Sequence, residues 1–148
     1  MRIDDALAGV TKLGLDTPPI IYFIESHPVY DIAATEVFGR IEAGSITGVT
    51  SVISMTEVLI HPLRRSDARL YEKYRELLVS TQHLELVSIG PAIAEGAAVL
   101  RSHHGLRVPD ALQLASAIES DCQAFLTNDT ALRRVDDIRI IILGELEP

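Results

Sequence analysis

Cysteine is nearly absent from this chain. Cys122 is the only one, so no intrachain disulfide can form, which suits a reducing cytosol. Lysine is almost as scarce: Lys12 and Lys73 are the only lysines among 13 basic residues, and the formal net charge is −8. A protein that coats a duplex is usually basic, because it must neutralise phosphates. The acidic balance therefore disfavours a generic coating role. It fits an enzyme that binds cations and touches a short stretch of a strand, and it fits an ordinary soluble protein equally well. No apolar stretch approaches the roughly 18 residues that span a bilayer. The N-terminus carries Asp4 and Asp5 rather than a basic segment followed by an apolar run, so no signal peptide is expected. The expected location is the cytoplasm, with no membrane contact.

Several motifs are missing as well. There is no repeat, low-complexity tract or linker. No glycine-rich loop cradles a phosphate, and there is no nucleophile elbow. No Cys–His or His–His arrangement suggests zinc. His103 and His104 are sequence neighbours, so on a helix they diverge, and near its end they complement the dipole.

What is present is an apolar content of 47% over 148 residues, enough for one domain, 1–148, with one real core. Short apolar runs alternate with longer helical stretches. Strands are expected at 13–16, 46–50, 84–89, 124–127 and 138–143. Helices are expected at 20–25, after Pro18 and Pro19, and at 29–43, stopped by Gly44. Others should run from a Ser51 cap to about Leu63, from Ser66 to His83, from Pro91 to Gly105 and from Pro109 to about Asp121. A short one follows at 130–134. Strands separated by helices of this length argue for an α/β fold, a mostly parallel sheet with helices on both faces. Such sheets place their sites at the carboxyl ends of the strands.

That rule singles out acids. Asp16 ends the first strand and Asp129 lies just past Thr127, so both belong to the same sheet edge. Asp110 lies in the first turn of a helix, where the dipole favours an acid for purely structural reasons. Asp16 and Asp129 can each be a turn or cap. Glu57 is different. It shares a stripe with Ile53 and Ile60 on a helix that is apolar almost all round, which predicts burial. A buried carboxylate needs a cation, a donor or a proton. Arg64 is the alternative partner. Taken together, the four carboxylates suit a hard divalent cation such as magnesium, which takes one or two carboxylates plus waters and phosphate. Because arginine grips phosphate in fork geometry, Arg64, Arg65, Arg69, Arg133 and Arg134 are candidate phosphate contacts, against the alternative of a solvated helix surface.

These same residues carry a family resemblance. The chain resembles the PIN-domain nucleases, and within them the VapC-like toxins of toxin–antitoxin pairs. The matching segments, in the family's order, are LDTPPIIYFIE (15–25), SMTEVL (54–59), VPDALQLASAI (108–118) and FLTND (125–129). The resemblance implies a three-layer α/β/α sandwich around about five parallel strands. It implies that Asp16, Glu57, Asp110 and Asp129 are the catalytic and metal positions, with Mg2+ or Mn2+ as cofactor, and that Thr127 and Asn128 support them through hydrogen bonds. It further implies hydrolysis of RNA phosphodiester bonds, a cognate antitoxin and a homodimer. The apolar character of 52–63 and 66–83 also points to the dimer. One departure is Pro18, where the family often has a small polar residue. A receiver-type domain would want a lysine near the last strand, and an HAD-type phosphatase needs an Asp at position 18. A non-catalytic PIN-like scaffold is the remaining alternative.

Overall fold

In the computed structural model, which describes residues 1–148, the short apolar runs pair as five strands: β1 (Lys12–Leu15), β2 (Thr47–Ser51), β3 (Leu84–Val87), β4 (Ala124–Thr127) and β5 (Arg139–Ile142). Their order is β3-β2-β1-β4-β5 and every pairing is parallel. The helices are α1 (Ile3–Ala6), α2 (Thr17–Ile24), α3 (Asp31–Glu42), α4 (Val52–Arg64), α5 (Ala68–Ser80), α6 (Pro91–His104) and α7 (Val108–Glu119), with short 3-10 turns at Thr130–Arg134 and Leu143–Glu145. No helix is long and apolar enough to cross a membrane.

Strand side chains alternate between faces, and the core divides accordingly. Leu13, Leu15, Ala124, Leu126 and Ile141 join one apolar cluster with residues of α1 to α5. Val49 and Phe125 join a second cluster built from α6 and α7. The result is a three-layer α/β/α sandwich, as the resemblance implies. The one cysteine belongs to the second cluster, and burial pushes its thiol up to about 12, so Cys122 offers no thiolate at neutral pH.

The expected boundaries shift in ways the local chemistry explains. α2 starts at Thr17 rather than Ile20, because Pro18 and Pro19 sit inside the first turn, where a missing N–H costs nothing. α3 starts at Asp31 rather than Val29: Nδ1 of His27 accepts from the Val29 and Tyr30 amides and holds a turn ahead of the helix. Ser66 does not open α5. It takes a positive φ, and Asp67 is the cap, accepting from the Leu70 amide. β3 is shorter than expected, ending at Val87. α1 has no counterpart in the sequence reading; it is short, and Arg2 bridges to Glu147, so the two termini meet.

Gly14 sets the spacing between sheet and helix. A Cβ there would lie 2.6 Å from the Ala117 Cβ and 2.9 Å from Phe125 Cδ1. Ala117 belongs to α7, so a side chain at Gly14 must push α7 off the sheet. Gly14→Val is expected to lower the unfolding free energy by about 1–3 kcal/mol, the usual cost of overpacking. Urea unfolding reads this as a lower midpoint at unchanged slope. An unchanged midpoint would show that α7 has room to move.

Candidate active site

Because all strands are parallel, the carboxyl ends of β1, β2 and β4 share one edge, and the chain enters α2, α4 and the 3-10 turn there. Asp16 caps α2. A capping side chain normally accepts from the second or third helical amide. Here those residues are Pro18 and Pro19, which have none. Asp16 Oδ1 therefore accepts from the Thr17 amide (2.9 Å), and Oδ2 is free to accept from Thr127 Oγ1 (2.8 Å). Pro18, the departure from the family pattern, thus leaves the carboxylate in place.

Asp16 is buried. Burial raises its pKa above the ordinary carboxylate range. The bonds from Thr127 and Thr17 oppose the rise, and the negative charges of Asp110 and Glu57 add to it. Those last two contributions show that the fold brings three of the four acids within electrostatic reach. Asp110 lies in the first turn of α7 with its carboxylate largely covered, and it pairs with Arg107 (Nε to Oδ2, 3.1 Å).

Glu57 corrects the sequence expectation. It is exposed, not buried, because the first turns of α4 stand at the open sheet edge. It makes no ion pair with Arg64. Its partner is the Thr17 hydroxyl, which donates to Oε1 at 2.8 Å. Asp129 is also exposed. It caps the 3-10 turn by accepting from the Ala131 amide, while its own amide donates to Thr127 Oγ1 (3.1 Å). Thr127 therefore ties Asp16 and Asp129 together. Asn128 acts elsewhere: its amide donates to the Tyr22 hydroxyl and its carbonyl accepts from the Gly144 amide. It holds the loop rather than a carboxylate.

The arginines are less well placed. Arg64 and Arg65 lie exposed at the far end of α4, with Arg64 about 10 Å along the helix from Glu57. Arg133 pairs with Glu145, and Arg134 donates to the carbonyls of His104 and Ala131. None of the four makes a salt bridge to the cleft acids.

Beneath the acids lies a buried polar layer that the sequence reading missed. Thr50, Ser51, Ser54, Gln113 and Thr17 are all buried, and no buried side-chain polar atom lacks a partner. Gln113 Nε2 donates to Ser54 Oγ (2.6 Å), and its Oε1 accepts from Ser51 Oγ (2.5 Å). Thr50 Oγ1 lies 2.9 Å from both the Leu15 carbonyl and Ser54 Oγ and shares its proton between them. Ser54 thus accepts from Thr50 and Gln113, and its proton goes to Thr17 Oγ1, 2.9 Å away. Thr17 passes its own proton to Glu57. The signal was present: Ser54 and Gln113 interrupt the apolar faces of their helices, and such residues must find partners when buried.

The donor set is oxygen throughout, as a hard divalent cation requires. It is also open: no three of these carboxylates bring oxygens within 4.8 Å of one another, a spacing met only by His104, Asp136 and Asp137 elsewhere. Waters would complete any coordination shell here, which is how magnesium is usually held. In that second cluster Asp137 and His104 bond at 2.8 Å and staple α6 to the loop before β5.

The family model of the PIN domain matches residues 14–138. No curated protein sequence matches the chain significantly. Solved structures similar in fold include VapBC2 from Rickettsia felis bound to a DNA fragment from its promoter (TM-score 0.70, 18% identity, covering 88% of this chain and 98% of that one). A toxin–antitoxin complex from Klebsiella pneumoniae (0.69, 20%, 89% and 97%) and FitAcB from Neisseria gonorrhoeae (0.68, 18%, 91% and 99%) are similar too. The match runs from the middle of β1 to the residue before β5 and takes in all four acids at the sheet edge, and the chain belongs to the PIN-domain family.

Proposed function

We propose that residues 1–148 form a single divalent-metal-dependent endoribonuclease, the toxin of a toxin–antitoxin pair acting in the cytoplasm. The observation that carries this reading is the buried Asp16 carboxylate. It is held by two donors and raised in pKa by burial and by neighbouring acids. Such a group is relieved by a cation, and Asp16 with Asp110, Glu57 and Asp129 offers oxygen ligands for Mg2+ or Mn2+. When bound, the cation supplies Lewis acidity, lowering the pKa of the attacking water and offsetting charge on the phosphate oxygens.

The protein's own part is placement. Thr127 and the Thr17 amide fix the two oxygens of Asp16, so its orientation is set before any ligand arrives. Thr17 holds one oxygen of Glu57, and the residue is exposed, so its carboxylate can take a proton from the attacking water. The water oxygen forms a new bond to phosphorus, one P–O ester bond breaks, and the leaving ribose oxygen takes a proton. A single strand or loop suits an acidic cleft of this kind, because its backbone can enter without a flanking duplex.

Two partners belong to this reading. The structural relatives include toxin–antitoxin complexes, and an antitoxin arginine is suited to an acidic cleft of this kind. A second copy of the chain is the other partner. Exposed Leu63 at the end of α4 lines a groove of about 400 Å3 with Pro62 and with Tyr71 of α5, and Ile60 and Val79 on the same two helices are also exposed. Sedimentation is expected to show a dimer for the wild type and a monomer for Leu63→Glu. A wild type that stays monomeric at high micromolar concentration would remove the dimer from this reading.

The catalytic test uses Asp16→Asn and Asp110→Asn. Both keep side-chain volume and remove charge. RNA cleavage in manganese is expected to fall at least about a hundredfold in each, and EDTA should abolish it in the wild type. Metal-free stability of Asp16→Asn should hold or rise, because the lost charge is one that burial disfavours. For Asp16 the sign is explicit. Its folded pKa lies above the unfolded one, so the carboxylate destabilises the metal-free fold as pH rises through the unfolded pKa. Asp16→Asn should therefore flatten that loss in a thermal melt between pH 4 and pH 7. Full cleavage by both variants would mean that the acids are only helix caps, and manganese binding without cleavage would mean a scaffold.

A further inference from the structure

Arg107 is a poor helix cap. It occupies the N-cap position of α7, makes no capping hydrogen bond, and places a cation at the positive end of the helix dipole. Its side chain is 79% exposed and would ordinarily extend into water. Instead it folds over the first turn, with Nε 3.1 Å from Asp110 Oδ2 and Nη2 3.5 Å from Asp110 Oδ1. This is the only salt bridge that any of the four cleft acids makes. The guanidinium lies on the carboxylate that, in the reading above, a divalent cation would use.

We propose that Arg107 is a tethered competitor for the cation site: it neutralises Asp110 in the metal-free protein, must leave when a divalent ion binds, and so sets how tightly the cleft holds that ion. This rests on the proposed metal site. The charges of Glu57 and Asp129 also act on Arg107 and help to hold its charged form, so the group sits in the field of three acids. Its exposure is what makes exchange feasible. The guanidinium can swing into water without breaking any packed contact, whereas Asp110 is fixed by α7 and largely covered. The other arginines cannot act this way. Arg64 and Arg65 sit at the far end of α4, and Arg133 and Arg134 are engaged with Glu145 and with backbone carbonyls.

The test is manganese binding to the RNA-free full chain by titration calorimetry, a readout independent of cleavage. Arg107→Ala is expected to bind manganese roughly three- to tenfold more tightly than the wild type, a range set by the modest strength of an exposed ion pair plus the lost repulsion. Arg107→Lys keeps the charge but not the two-point fork, so its affinity should fall between those of the wild type and Arg107→Ala. Arg65→Ala controls for net charge, since it removes a cation that touches none of the acids, and should leave affinity unchanged. Equal manganese affinity in the wild type and Arg107→Ala overturns the proposal while leaving the metal site standing. An increase in Arg65→Ala as large as in Arg107→Ala also overturns it, because the effect is then one of total charge. Failure of every variant to bind manganese removes the metal site, and the competitor with it.

Discussion

The amide of Gln113 joins three helices at one point beneath the acids. Its nitrogen reaches Ser54 on α4 and, more weakly, Thr17 on α2, while its oxygen takes the hydroxyl proton of Ser51 at the end of β2. Each of these helices carries or follows one of the cleft carboxylates: Asp16 caps α2, Glu57 lies on α4 and Asp110 on α7. In a buried setting every unmet donor costs on the order of 1–3 kcal/mol, so a fully satisfied network has few alternative arrangements. The cleft geometry is therefore fixed from below, by neutral polar groups, before any charge interaction is considered.

The acids then inherit different environments from neighbouring positions. Asp16 is enclosed between β1 and β4, so its charge is disfavoured even with two donors on it. Asp110 is largely covered but meets Arg107. Glu57 and Asp129 stand in water, each held by one short bond to a neighbour. This gradient from enclosed to exposed gives a cleft with a covered floor and a solvent-facing rim. The floor suits a tightly positioned ligand set, and the rim suits groups that exchange protons or partners with solvent.

Glycine and proline matter here through what they omit. Gly14 lacks the Cβ that would hold α7 off the sheet, and the close approach lets Gln113 reach Ser51 and Ser54. Pro18 and Pro19 lack the amides that would otherwise draw the Asp16 carboxylate back along α2. With those donors gone, one Asp16 oxygen turns to Thr127 across the sheet edge. The same missing atoms account for the packing of one helix and the orientation of one carboxylate.

Much of this was legible in the sequence. The alternation of apolar runs with 3.6-period stretches determined the strand order along the chain, the α/β class and the edge at which Asp16 and Asp129 fall, because periodicity and burial are local consequences of residue type. Cap chemistry near Gly105 and Pro91 determined the ends of α6. What tertiary structure decided were properties belonging to pairs of distant residues. Glu57 reads as buried from its helix, yet lies in water, since the helix face there meets an open cleft rather than another layer. Arg107 drew no reading from the sequence, and only the folded first turn of α7 shows that it covers Asp110. The Ser51–Ser54–Gln113–Thr17 layer spans as many as 96 positions. A hydrogen bond needs its partner within about 3 Å, and sequence fixes which groups seek partners without fixing which distant group arrives.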